Sequence, residues 1–139
     1  MNRRSLLQAI PAGALLSAAD LAGGAASSTR VYELRVYHPS EGKLPELLAR
    51  FRDHTMQLFE KHGIKNVAYW VPTDEPQKGN LLVYMLAHAS REAADANWKA
   101  FREDPEWIAV KEKSEANGKL VDKIESTFLA MTDFSPQLG

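Results

Sequence analysis

The order of elements in this 139-residue chain predicts an α+β fold, a ferredoxin-like β-α-β-β-α-β sandwich. Three observations lead there. Four segments carry the alternation or β-branched and aromatic content of strands. Two helical patterns lie between the first and second and between the third and fourth of them. The two halves are similar in length, as in a split β-α-β pair, which folds as four antiparallel strands with the helices on one face.

The first strand is residues 29–38, around VYELRVY. A Pro-Ser-Glu-Gly turn follows. Residues 43–62 have helical periodicity, with Gly63 at the C-terminal capping position. At 100° per residue Leu44, Leu48, Phe51, Thr55 and Leu58 fall on one side, with Leu47 and Phe59 at its margins. Pro45 sits in the first turn, where a missing N–H costs nothing.

IKNVAYWV, 64–71, is the second strand. PTDEPQKG is a polar loop, and NLLVYMLAH, 80–88, the third strand. Ser90 caps a helix running to Glu103. Asp104-Pro105 then starts a shorter helix that ends near Asn117-Gly118. The fourth strand covers about 122–130.

Composition narrows the function. A formal net charge of −1 gives no reason to expect nucleic acid as partner. No stretch approaches the roughly 20 apolar residues of a membrane span. The chain has no cysteine, so disulfides, thiol nucleophiles and thiolate metal sites are excluded. His38, His54, His62 and His88 show no i, i+4 pair, so no metal is assigned. No Gly-rich phosphate loop or nucleophile elbow is present, and no cofactor is implied.

The N-terminus reads as a signal peptide: paired Arg3 and Arg4, an apolar run from Leu6 to Ala19, then small residues. Arg-Arg-Ser-Leu-Leu-Gln is similar to a twin-arginine export signal. Two segments are therefore expected, a leader at 1–28 cleaved near Ala25 to Ser28, and a mature domain at 29–139 in the periplasm or another extracytoplasmic space.

One face of a ferredoxin-like sheet lies bare in a monomer. Tyr32, Leu34 and Val36 are the more apolar set of the first strand and are expected beneath the helices. Glu33, Arg35 and Tyr37 would then point to the bare side, sharing it with Lys123 and Glu125. A soluble monomer rarely leaves a large apolar patch uncovered. A homodimer, sheet against sheet, would close a barrel-like cavity around these charges. The expected ligand-binding residues are Glu33, Arg35, Tyr37, Trp70, Tyr84, His88, Asn97 and Glu125. His54, on the shoulder of the first helix, is the candidate acid/base. The competing readings are a structural ion network at the dimer interface for Glu33, Arg35 and Glu125, and packing for Tyr84, His88 and Asn97.

YELRVY at 32–37, FRDHTMQLFEKHGI at 51–64, VAYW at 67–70, the segment 81–107 and ESTFLAMTDFSP at 125–136 together resemble the NIPSNAP family of dimeric α/β-barrel proteins. The resemblance implies the fold and a homodimer. The wider superfamily includes cofactor-free monooxygenases, haem-handling enzymes and sugar mutarotases. It makes small-molecule binding, with cofactor-free oxygenase or isomerase chemistry, the first expectation. A non-catalytic protein-interaction module is the second. Twin-arginine export departs from the mitochondrial members and speaks against a trafficking role.

Overall fold

The computed structural model describes residues 30–138; the leader at 1–28 lies outside them. In chain order the elements are β1 (Val31–Pro39), α1 (Leu44–Arg50), a π-helical turn (Phe51–Thr55), α2 (Met56–Lys61), β2 (Lys65–Trp70), β3 (Leu82–His88), α3 (Arg91–Glu103), α4 (Pro105–Ser114) and β4 (Val121–Leu129). The strands form one sheet in the order β2-β3-β1-β4, antiparallel throughout. This is the ferredoxin-like α+β arrangement, with β1 and β3 in the middle.

Residues 44–61 run as α1, the π turn and α2 rather than as one regular helix. A π turn bonds i to i+5 and so shifts the side-chain register by one residue. That shift explains why Leu47 and Phe59, marginal on a uniform helical projection, are both 1% exposed or less. Thr55 Oγ1 donates to the Arg50 carbonyl at 3.3 Å, meeting an acceptor at the transition.

Capping follows the sequence closely. The Ser90 hydroxyl accepts from Ala93 N–H at 3.0 Å. Asp104 accepts from Glu106 N–H at 2.8 Å, with Pro105 in the first turn of α4. The Asp104 carboxylate also meets His62 Nε2 at 2.7 Å and Lys61 Nζ at 2.8 Å. Those three donors hold its carboxyl well below the ordinary aspartate range. One side chain thus ties the end of α2 to the start of α4.

The core lies between the helices and the sheet, built on aromatic rings. Phe59 packs on Trp98, Phe101 and Tyr84, and Phe51 on Tyr37 and Tyr84. Burying a side chain such as Phe59 stabilises by roughly 1.5–3 kcal/mol. Each well-oriented ring pair adds about 0.5–1.5 kcal/mol.

Register shows which side of β1 meets the helices, and here the expectation is corrected. Arg35 is paired across with Tyr84, Tyr37 with Leu82 and Glu33 with Leu86; Tyr84, Leu82 and Leu86 are core residues. Glu33, Arg35 and Tyr37 therefore face the helices. Tyr32, Leu34 and Val36, opposite Ala87, Met85 and Val83, take the outer face. Both sets along β3 are apolar, so polarity alone does not choose between them. What selects the observed side is that Trp98 of α3 and Tyr84 of β3 supply partners for the charges only there.

Gly63 closes the helical segment with φ +81. A Cβ there would lie 2.9 Å from Asn97 Nδ2 on α3. Gly63→Ala is expected to lose at least the ~1–2 kcal/mol of left-handed backbone strain, read by urea denaturation. Adding Asn97→Ala should recover only the steric part of the loss.

Candidate functional site

The site grows from one buried carboxylate. Glu33 is 1% exposed, and an unpaired carboxylate at that depth would cost several kcal/mol or take up a proton. Four donors surround it. His88 Nε2 and Trp98 Nε1 both reach Oε1 at 2.8 Å. Arg35 Nη1 reaches Oε2 at 2.7 Å, and the Ser126 hydroxyl donates to the same oxygen at 2.6 Å. Burial pushes the carboxyl up, and the four hydrogen bonds together outweigh it, holding the pKa at about 2. Glu33 is thus an ionised, saturated counter-ion and a poor base.

Each donor comes from a different place. Strand pairing brings His88 and Ser126 beside β1, because β3 and β4 flank it. Trp98 lies in the middle of α3, on the face that also buries Ala94 and Phe101. Its indole N–H is the only polar group on the ring, and Glu33 gives it an acceptor. His88 Nδ1 is buried with no partner among the described residues.

Arg35 is the second layer. Nε donates to the Tyr84 hydroxyl at 2.8 Å and Nη2 to the Tyr37 hydroxyl at 3.3 Å. The guanidinium lies over the Trp98 ring at 4.3 Å, a favourable cation–π distance. Burial works against its charge, but Tyr84, Tyr37 and Glu33 more than offset that and raise its pKa further. Tyr84 is fully buried and its phenol is pushed well above the ordinary range, first by burial and then by Tyr37. It donates to the Tyr37 hydroxyl at 3.0 Å.

Donor counting then identifies what is left over. A guanidinium has five N–H groups, and Arg35 uses three of them within the described residues. The Tyr37 oxygen accepts from both Arg35 and Tyr84, which leaves its own proton without an acceptor among those residues. Arg35, Tyr37, Glu33, Trp98 and Ser126 all line a cleft of about 1260 Å³ between β1–β4 and α3–α4. Its apolar wall includes Phe101, Trp107, Ile108, Ile124 and Phe128. A ligand oxygen that carries negative charge matches the unspent Arg35 and Tyr37 donors.

Glu33, Arg35, Tyr37, Tyr84 and His88 are brought together as one network, on the helix side of the sheet rather than on its outer side. The other candidate residues lie elsewhere. Glu125 is exposed on the outer face, 3.1 Å from His38 Nε2, and that histidine, with Lys123, lowers its pKa. It shares no surface with Glu33. Trp70 is half exposed on edge strand β2. Asn97 packs over Gly63. His54 is an exposed residue of the π turn and is not part of the cleft wall.

Trp98 and Ser126 are not among the residues the sequence pattern singles out. Their signal was weak but present: a buried indole N–H needs an acceptor, and Ser126 interrupts the apolar series Ile124, Phe128.

The fold and this buried network define an α+β sandwich with an internal cleft. The NIPSNAP family model matches residues 32–136, and the chain belongs to that family. Among solved structures it is similar to a NIPSNAP-like domain protein from Burkholderia xenovorans, at 19% identity and a TM-score of 0.68, covering 81% of this chain and 93% of that one. A NIPSNAP family protein from Agrobacterium tumefaciens is 25% identical with a TM-score of 0.66, covering 77% and 97%. SnoaB, a cofactor-independent oxygenase from Streptomyces nogalater, shares the fold at 15% identity and a TM-score of 0.53, covering 78% and 99%. No curated protein matches the chain.

The Glu33 hydrogen bonds set a pH dependence. Its carboxyl pKa is depressed from 4.5 to about 2. Between those values the unfolded chain binds a proton that the folded chain excludes, so this contribution to stability is full above 4.5 and is lost as pH falls towards 2. Trp98→Phe removes one donor while keeping a ring. A carboxyl ¹³C titration should place Glu33 higher in that variant, with acid unfolding beginning at higher pH. An unchanged Glu33 titration would contradict the assigned role of the indole.

Proposed function

We propose that this protein is an exported homodimer that binds a small organic molecule in the cleft between β1–β4 and α3–α4. The ligand presents an anionic or carbonyl oxygen to Arg35 and Tyr37. The observation that carries this reading is the pair of unspent donors on a cleft wall. Arg35 is held rigid by Glu33, Tyr84 and Tyr37 and still has two N–H groups without partners among the described residues.

Fixed donors that need no rearrangement stabilise negative charge as it develops on an oxygen. The chemistry this favours is cofactor-free: substrates that pass through an enolate or phenolate, as in isomerisation or reaction with oxygen. Glu33 does not serve as the base, since its lone pairs are occupied and its pKa is low. It keeps Arg35 charged and oriented. The fold shared with a cofactor-independent oxygenase is compatible with this chemistry.

The dimer reading rests on the outer face of the sheet. Leu34, Val36, Val83 and Met85 are only partly buried there, and Trp70 and Leu129 are 50% and 37% exposed. A second copy of the same face would cover them. Export rests on the twin-arginine pattern at Arg3 and Arg4.

Native mass spectrometry of protein recovered from the extracytoplasmic fraction tests the whole proposal. A dimer of chains beginning near residue 29, carrying added mass, is expected. A bare monomer of the full-length chain would overturn it. With 1-naphthoate as calorimetric probe, Tyr37→Phe should weaken binding by about 2- to 10-fold, the worth of one neutral hydrogen bond. Arg35→Lys should weaken it by about 10- to 100-fold, because a charged fork is lost. Met85→Asp, on the outer face, should yield monomer by light scattering and leave the far-ultraviolet circular dichroism unchanged.

A further inference from the structure

A second guanidinium stands in the wall of the same cleft. Arg50 is only 6% exposed. It sits at the end of α1, where the π turn begins. Its Nη1 donates to the Ser114 hydroxyl at 3.1 Å and to Glu115 Oε2 at 3.3 Å. The cation lies 5.1 Å from the centre of the Trp107 ring. Those contacts tether α4, an element with no buried residue of its own.

The remaining donors of Arg50 are disposed differently from those of Arg35. Nε is buried and has no partner among the described residues. Nη2 makes no hydrogen bond with the described residues either, and it is not fully buried. Nε–H and the adjacent Nη2–H form the side edge of a guanidinium, the edge that receives both oxygens of a carboxylate in parallel. In Arg35 the corresponding two nitrogens are taken by the Tyr84 and Tyr37 hydroxyls. In Arg50 neither has a partner among the described residues. A guanidinium that served only to staple α4 would leave the buried Nε–H unsatisfied, at the desolvation cost of an unpaired buried donor.

Arg102 and Lys111 line the cleft with no ion pair within the described residues, as does Glu112, while Asp95 and Asp122 on the same wall are paired with Arg91 and Lys119. The Glu115 carboxylate is occupied by Arg50 itself. The same wall also carries Phe101, Ile124 and Val121, which suit an apolar body.

We propose that the side edge of Arg50 is a carboxylate subsite, so that the ligand is an apolar organic acid with a carboxylate at the Arg50 end and a second anionic or carbonyl oxygen at the Arg35 end. This inference rests on the cleft reading above and adds the substrate class to it. Side-on docking meets Nη2 first, and reaching Nε, which is buried in this structure, takes a turn of the guanidinium.

Arginine Nε–H resonances report the two poles separately. The probe is sodium benzoate, titrated into ¹⁵N-labelled mature protein at mildly acidic pH, with sodium chloride of equal ionic strength as control. The Arg50 and Arg35 resonances are assigned by their loss in Arg50→Lys and Arg35→Lys. A saturable downfield movement of Arg50 Nε–H with benzoate, and none with chloride, is expected. The Trp107 indole resonance should move with it in the wild type and stay still in Arg50→Lys, which keeps the charge but loses the edge. If Arg35 responds and Arg50 does not, the subsite is refuted while the cleft reading stands. If neither responds, both fail.

Discussion

The Glu33 carboxylate is the constraint around which the rest of the molecule is arranged. It sits where sheet and helix layer meet, at a depth where charge is tolerated only with full satisfaction. Satisfying it takes groups from β1, β3, β4 and α3. Its hydrogen bonds therefore fix the position of α3 over the sheet as well as the rotamer of Arg35. A core of Phe, Leu and Ile would pack equally tightly without selecting one orientation of the helix. The polar network selects one.

That arrangement links stability to function through Arg35. Glu33 holds one nitrogen of the guanidinium, the two tyrosines hold two more, and Trp98 covers its face. What remains is a charge that cannot move away from the cleft. A flexible arginine would lose side-chain entropy on meeting a ligand; this one has already lost it during folding. Arg50, on the same cleft wall, contrasts with it, tethered at one nitrogen and unpaired along one edge within the described residues. α4 has no fully buried residue and is held by Trp107 and Val110 packed on the core, by Arg50 and by the Asp104 cap.

The Asp104 cluster has a purely architectural consequence. Its carboxylate caps α4 and joins the His62 and Lys61 side chains at the end of α2. The two helical segments on either side of the cleft-forming α3 are thereby coupled at their ends. Asn97 over Gly63 makes a second tie from α3 to the same turn.

The sequence by itself determined the elements, their order and hence the topology, because caps, prolines and turn glycines act locally. Ser90, Asp104-Pro105 and Gly63 stand where their chemistry places helix ends. It also singled out Glu33 and Arg35, since charges inside an apolar strand are conspicuous. It did not determine which way they face. Period-2 alternation sorts residues into two sets but does not say which set is inside when both are largely apolar, as along β3. Tertiary structure decided that, through Trp98 and Ser126, 65 and 93 residues away from Glu33. Nor does a helical projection disclose a π turn, so Arg50 and its side edge came to light only once the chain had folded around them. Satisfying a buried charge requires donors from distant segments, and only the folded chain brings them together.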